Sequence, residues 1–301
     1  MEKLFQIGKD AIIYNDKYRK INKNGMLNLQ NKVPFIQFPT LKNIDFVKHG
    51  FSTRLGGVSE EHLASMNLSF TRGDEIENVV ENYQRICKAM EIPMEQLVFS
   101  DQIHETKIKV VTKEDTIFDF MEEFCNGGKK LIGYDGLITN EPNVALVTSY
   151  ADCVPLFFVD PIKKAIGLSH SGWRGTVKRM GARTVEMMEK EFGSNPEDLV
   201  CVIGPSICMD CYEVSKDVYL SFLNEFTEEQ IEEMFFPKGN DKYQLDLWKA
   251  NQIILREAGV TREHISVANI CTCCNSSLLF SHRKTNGQRG NLHGFLMIDN
   301  V

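Results

Sequence analysis

The sequence predicts a mixed α/β (α+β) fold built as a single domain, on three observations. Short apolar runs broken by Gly, Pro and Asn recur along the chain, a few stretches of helical periodicity alternate with them, and no internal repeat or Pro/Ser-rich linker divides them. At 301 residues the chain lies near the size, roughly 250–300 residues, at which one hydrophobic core stops growing. Candidate functional residues fall in both halves, which favours one domain over residues 1–301.

The first clear element is a helix over residues 74–90: Asp74 can accept from the free amides of a helix start, and Ile76, Val79, Val80, Tyr83, Ile86 and Met90 follow at helical spacing. The centre of the chain reads as a hairpin. Val144–Tyr150 and Leu156–Val159 have strand character, Asp160-Pro161-Ile162-Lys163-Lys164 is a turn, and Ala165–Ser169 is a strand again. The pattern then becomes helical from Gly175 to Phe192, with Val177, Met180, Val185, Met188 and Phe192 on one side and Gly193 as the stop. This makes His170-Ser171-Gly172-Trp173-Arg174-Gly175 a strand-to-helix junction. Leu199–Ile203 is a further strand before the Gly204-Pro205 turn. Helices follow over about 214–226 and over 246–258, the latter opened by Asp246 and closed by Gly259.

Composition excludes some functions. Against 41 acidic residues stand 34 basic ones, a formal charge of −7, which offers no general attraction for nucleic acid or an anionic membrane. The opening Met1-Glu2-Lys3-Leu4-Phe5 lacks a secretory apolar core, and no run approaches the ~18 apolar residues of a membrane span. A cytoplasmic protein is expected. Nine cysteines, without the tight framework of a small disulfide-stapled domain, read as free thiols and metal ligands.

Two groups of residues could hold a metal. His104, in Ser100-Asp101-Gln102-Ile103-His104, with Cys153 and His170 on opposite limbs of the predicted hairpin, would offer three protein donors and leave a position open, the catalytic type of zinc site. Their spacing matches no short metal motif, so a packing role for each remains open at this level. The rival is Cys208-Met209-Asp210-Cys211, with the two-residue gap of a zinc knuckle, joined by a pair from Cys271-Thr272-Cys273-Cys274, taken as Cys271 and Cys273. That site would be closed and structural, or the thiols could simply pack as small hydrophobes.

Other candidates are anion contacts. Arg54 lies beside Gly56-Gly57, as either a phosphate-binding loop or a hairpin with an exposed arginine. Arg174 and the amides after His170 suit an anionic substrate. Ser281-His282-Arg283 reads as a histidine and arginine pair near a cleft, and Asp135 and Glu213 could move protons or cap turns. His49, His62, His264 and His293 read as surface or packing residues.

The ordered blocks Phe51-Ser52-Thr53-Arg54-Leu55-Gly56-Gly57-Val58-Ser59, Gln102-Ile103-His104, Ala151-Asp152-Cys153-Val154-Pro155, His170-Ser171-Gly172-Trp173-Arg174-Gly175, Ile203-Gly204-Pro205-Ser206-Ile207 and Cys211-Tyr212-Glu213-Val214 resemble the laccase-domain or polyphenol oxidase family. This family also contains peptidoglycan editing factors and is associated with purine nucleoside phosphorylase activity. The resemblance runs from about residue 45 to the C-terminus. It implies a layered α-β-β-α sandwich and a zinc ion on His104, Cys153 and His170 as the catalytic centre. The implied activity is phosphorolysis of adenosine, inosine, guanosine or methylthioadenosine, with adenosine deamination as a further activity. Ser52, Arg54 and Arg174 are the expected contacts to inorganic phosphate, and the chain is expected as a monomer or homodimer. Copper-dependent phenol oxidation and editing of peptidoglycan precursors are the alternatives that the family's other names carry. The sequence departs from the pattern at Glu105, where glycine commonly follows the histidine. It departs again at Gly287-Gln288-Arg289, where a Gly-Arg pair is usual, so Arg289 is not carried into the predicted site.

Overall fold

The apolar runs on either side of the Asp160 turn become strands β10 (Val154–Asp160) and β11 (Ala165–Ser171), paired antiparallel from Val154 opposite Ser171 to Asp160 opposite Ala165. The turn follows from its residues: the Asp160 carboxylate accepts from the Ile162 and Lys163 amides, each at 2.8 Å. Every residue of both strands is buried, which explains why they read as continuous apolar runs rather than as alternating ones. The computed structural model describes residues 11–12 and 26–30 as backbone strands, and residues 33–116 and 131–299 in full. The N-terminal residues Met1–Phe5 lie outside these stretches.

Around this hairpin is a six-stranded sheet in the order β16 (Ile265–Val267), β12 (Val200–Ile203), β10, β11, β8 (Gly136–Thr139) and β6 (Ile108–Val110). A second sheet has eight strands, in the order β1 (Ala11–Ile12), β2 (Met26–Gln30), β3 (Val33–Gln37), β4 (Val47–Ser52), β17 (Leu292–Ile298), β9 (Ala145–Tyr150), β5 (Leu97–Asp101) and β7 (Leu131–Ile132). Both are mixed, with parallel pairs at β5–β9, β5–β7, β12–β16 and β6–β8.

The two sheets face each other. Phe51, Leu146, Tyr150, Leu292 and Leu296 of the larger meet Phe157, Val159, Ile166 and Leu168 of the smaller in one buried cluster. Phe157 packs edge-on against Phe38, ring centroids 5.1 Å apart, and a side chain of this size contributes roughly 1.5–3 kcal/mol on burial. On the outer face of the larger sheet the helix Ile76–Met90 buries Val79, Tyr83, Ile86 and Met90. On the outer face of the smaller, the helices Met180–Phe192 and Leu247–Glu257 pack over Leu156, Phe158 and Ile203. This is the α-β-β-α layering that the resemblance implied.

Some elements differ from their expected bounds. The single helix expected over 175–192 is two, Trp173–Val177 and Met180–Phe192, because Arg179 takes a left-handed φ of 59°. That conformation costs roughly 1–2 kcal/mol for a residue with a side chain. It is offset where the Arg179 guanidinium meets the Glu257 carboxylate and the Glu225 carbonyl and covers the Phe226 ring. The helix expected over 214–226 starts late, at Lys216, because Glu213–Ser215 (β13) is drawn into a small sheet with Lys242–Leu245 (β15), which pairs in turn with Phe235–Gly239 (β14). The helix Leu247–Glu257 is capped as expected, the Asp246 carboxylate accepting from the Lys249 amide at 2.9 Å. Among the described residues no helix is long and apolar enough to cross a membrane.

Candidate active site

A loop, a turn and a strand end carry His104, Cys153 and His170 to one place, and their ligand atoms all lie within 4.8 Å of one another. His170 is the penultimate residue of β11, so its position is fixed by a fully paired strand. Cys153 stands just before β10, after Asp152 at a positive φ of 91°. Asp152 is held in that unusual conformation from both sides: its carboxylate accepts from Thr272 Oγ1 at 2.6 Å and from the Arg283 amide at 2.7 Å. His104 follows β5 on a loop, at a φ of 63°.

Asp135 joins these parts. Its carboxylate is fully buried and accepts from the amides of Ile103, His104 and Glu105 at 3.2, 3.0 and 2.9 Å, and it pairs with His170 Nδ1 at 2.8 Å. One buried acid thus shapes the His104 loop and orients the His170 ring, leaving the opposite nitrogen of that ring for the site. Burial would raise the Asp135 pKa, but His170 and these amides outweigh it and hold the carboxyl below its usual range. Gly172 supplies the room: a Cβ there would lie 3.1 Å from Cys153 Sγ and 3.3 Å from His104 Cδ2.

The donor set fits a soft or borderline divalent ion. Burial disfavours the Cys153 thiolate, yet the charge of His170 and hydrogen bonds from both histidines prevail and bring the thiol down to about 6. Burial likewise opposes charge on His170, and Cys153 with Asp135 overcomes it and raises that imidazole to about 9. The two rings meet edge to face, centroids 4.9 Å apart. A thiolate beside two imidazoles is a ligand set that zinc or copper accepts, and three protein donors leave a further position clear of the protein.

The trio lies in a cavity of about 620 Å³. Aromatic side chains, Phe70, Tyr83, Phe99, Tyr150, Trp173 and Tyr212, form part of its wall, and Arg72, Arg174, Arg283 and Arg289 bring positive charge to it. Arg289 is 8% exposed. Its Nε has no hydrogen-bond partner among the described residues, and burial with the nearby charge of Arg72 lowers its pKa to about 10.

Residues 48–299 match the model of the family described as multi-copper polyphenol oxidoreductase laccase. The chain belongs to this laccase family. It is 37% identical over 262 residues to a Bacillus subtilis protein named purine nucleoside phosphorylase YlmD, covering 85% of this chain and 90% of the relative. It is 34% identical over 274 residues to a Bacteroides thetaiotaomicron purine nucleoside phosphorylase, covering 91% of this chain and 99% of that one. The crystal structure of YlmD from Geobacillus stearothermophilus superposes with a TM-score of 0.83 at 31% identity, over 91% of this chain and 99% of the other.

Within this laccase-family chain, the expected phosphate contacts separate. Arg174 lines the cavity, its guanidinium 4.3 Å from the centre of the Trp173 ring. Arg54 and Ser52 are not among the lining residues. Arg54 is neither a ligand-facing loop arginine nor an exposed hairpin one: it donates to the Ala64 and Ser276 carbonyls at 2.8 and 2.9 Å and covers the Phe280 ring at 4.7 Å. The adjacent Gly57 is needed because a Cβ would lie 2.1 Å from the Ser65 carbonyl oxygen, so the close approach is to backbone and not to a ligand. Ser52 Oγ accepts from the His293 amide at 2.8 Å inside the larger sheet. Glu213 is half-buried and pairs with Lys238 outside the lining.

Other residues enter the cavity that the sequence reading set aside. Arg289 lines it despite the departure in its motif, and so does His293, read above as a packing residue. His293 is held by Tyr83 Oη at 2.8 Å and pushed by burial down to about 3, so it is neutral. The spacing signal for Arg289 was present in Gly287-Gln288-Arg289, whereas His293 sits in an apolar strand and carries no local signal at all. The paired His282 and Arg283 line the cavity as their neighbourhood suggested. The second candidate metal group also assembles, with Cys274 where Cys273 was expected: the sulfurs of Cys208, Cys211, Cys271 and Cys274 lie within 4.8 Å of one another. The turn begun at Cys271 sends the residue three positions on, not two, back to the cluster, and the Cys274 amide donates to Cys271 Sγ at 3.4 Å.

Proposed function

We propose that this cavity cleaves purine nucleosides by phosphorolysis, with zinc held by His104, Cys153 and His170. The observation that carries the reading is that an open His-Cys-His donor set shares one cavity with aromatic walls and with Arg289, a buried cation lacking a partner for Nε among the described residues. The relatives named purine nucleoside phosphorylase support it.

Phosphorolysis joins a phosphate oxygen to ribose C1′ and releases the purine, so the site must anchor a dianion, hold a flat base and keep water out. Arg289, with Arg72, Arg174 and Arg283 on the same lining, supplies the anion anchor. Tyr83, Phe70 and Tyr150 offer apolar faces to a base and exclude water around the reacting carbon. Zinc, if held by His104, Cys153 and His170, would supply Lewis acidity at this site. Asp135 does not touch substrate; it fixes the rotation of His170 and the path of residues 103–105. Holding the reactants in one orientation and stabilising the developing charge are the two ways this lining lowers the barrier.

Adenosine, inosine, guanosine and methylthioadenosine are the proposed substrates. Adenosine deamination is the further activity proposed for the same open position, since it needs water in place of phosphate. Copper-dependent phenol oxidation has less support, because multi-copper chemistry needs several histidine-rich centres and only one candidate metal group among the described residues contains histidine. The test is a nucleoside panel with inorganic phosphate present and absent, read by chromatography. Free base and ribose 1-phosphate appearing only with phosphate is the expected result. Base release independent of phosphate would make the enzyme a hydrolase, and no base under either condition would end the proposal.

A further inference from the structure

The four sulfurs of Cys208, Cys211, Cys271 and Cys274 lie outside the catalytic trio, and nothing in phosphorolysis requires them. They come from two knuckles of identical two-residue gap, one on the short turn Met209–Cys211 and one on the turn after Cys271. A parallel bridge between Ser206 and Cys271 lays the knuckles side by side. Cys208 Sγ is 4.0 Å and Cys211 Sγ 3.5 Å from Cys274 Sγ. A tetrahedral ion with metal–sulfur bonds of ~2.3 Å places its sulfurs ~3.8 Å apart along each edge, so these separations are those of a tetrathiolate cage. They are far beyond the ~2.05 Å of a disulfide. Two backbone amides, of Cys208 and Cys274, point at Cys271 Sγ from 3.3 and 3.4 Å, the arrangement that favours a metal-bound thiolate by orienting its outer hydrogen bonds.

We propose that Cys208, Cys211, Cys271 and Cys274 form a second, structural metal site, closed by four thiolates and suited to zinc. Its place in the fold gives it a task. The same two segments carry Tyr212, His282 and Arg283 to the cavity lining. Arg283 donates through its side chain to the Cys211 and Glu213 carbonyls, and through its amide to Asp152. Asp152 in turn accepts from Thr272 and, at its carbonyl, from the Ile207 amide. The ion would therefore staple the cavity wall that holds the residue before Cys153, without an open position for chemistry of its own.

The proposal is independent of the nucleoside reading, because its readout is metal content and thiol protection. In the full chain carrying His104→Ala with Cys153→Ala, purified without chelator, mass spectrometry under native conditions is expected to find one zinc per chain. That ion is expected to be lost when Cys208→Ser and Cys274→Ser are added. A metal-free double variant would overturn the proposal, as would a mass lowered by the two hydrogens of a disulfide. The wild-type protein provides a check that needs no variant at the cluster. Alkylation of the untreated protein should spare these four cysteines, and alkylation after removal of metal by a strong chelator should label them. Equal labelling of Cys208, Cys211, Cys271 and Cys274 before and after chelation would likewise overturn it.

Discussion

Among the described residues two candidate metal-ligand groups assemble, and they are built in opposite ways. The His104, Cys153 and His170 trio mixes donor types, faces a cavity, and makes its own charge: an imidazole beside the thiol and a buried carboxylate behind the imidazole favour the ionised pair before any ion arrives. The four-cysteine group has one donor type, no histidine and no carboxylate among its ligands, and burial with neighbouring thiols pushes Cys211 and Cys274 up. The difference teaches how a fold separates reactivity from anchorage. An open site needs fewer protein ligands and an outer shell that tunes them, while a closed one needs only geometry.

The sharpest way to break this comparison is to remove a trio ligand. Cys153→Ala is expected to abolish metal at the trio and to lower phosphorolysis on the order of 10³-fold or more, since the metal contributes several kcal/mol to transition-state stabilisation. Its unfolding midpoint should fall as well, because an ion held by the folded chain stabilises it and Cys153 packs against the core between the sheets. Base release and circular dichroism measure the two quantities side by side.

Asp135→Asn tests the outer shell. The amide side chain keeps its size but loses the charge that holds His170, and its NH₂ must replace either Oδ2, which accepts from the Ile103 and Glu105 amides, or Oδ1, which accepts from the His104 amide and pairs with His170. Metal affinity at the trio should fall roughly 10–100-fold, measured by competition with a chelating dye, and retention at the four-cysteine group should not change.

The pH dependence of metal uptake separates the groups further. With the Cys153 thiol at about 6 and His170 at about 9, the empty pair carries its one shared proton on His170 at neutral pH. An ion must displace that proton, so affinity at the trio should climb about tenfold per pH unit until His170 is neutral, near 9. Below about 6 Cys153 takes up a proton as well, and the slope should steepen. For stability of the metal-free protein the signs oppose. The lowered thiol contributes above its unfolded value and loses that contribution as pH falls through about 6, while the raised imidazole contributes below its unfolded value and loses it as pH rises through about 9. The two slopes offset each other in between, and a thermal midpoint nearly flat with pH across that window is the expected result.

Arg289→Ala addresses the anion anchor. A hydrogen bond to a charged group contributes ~1.5–3 kcal/mol, so the KM for phosphate should rise roughly 10- to 150-fold with a smaller change in kcat. Arg54→Ala should leave that KM within about twofold and instead lower stability by about 1–3 kcal/mol, because its guanidinium holds the Ala64 and Ser276 carbonyls. Equal effects of the two variants on phosphate KM would contradict the assignment of anchor to Arg289 over Arg54.

How far the site was legible differs from residue to residue. The six ordered blocks pointed to the trio, yet their spacing alone could not, because residues 104, 153 and 170 meet only through two different sheets. Asp135 stood in a Tyr-Asp-Gly turn that any surface loop could contain. Arg54 carried a loop signature in its glycines that proved to concern the backbone of residues 64–66. Cys273 was expected in place of Cys274 because three cysteines within four positions give no sign of which one a turn will face inwards.

What the sequence determined by itself was the local and the periodic: strands as unbroken apolar runs, helices opened at Asp246 and closed at Gly193, a hairpin turned by Asp160, and a net charge that disfavours polyanions. Only the tertiary structure decided which polar side chains share a cavity. It set β17 between β4 and β9, and with it carried Arg289 and His293 to the site, and it broke a helix at Arg179 for the sake of partners at positions 225, 226 and 257. The physical reason is that backbone conformation responds to neighbours a few residues away, whereas a site is assembled by burial, which brings together residues whose separation along the chain carries no record of the contact.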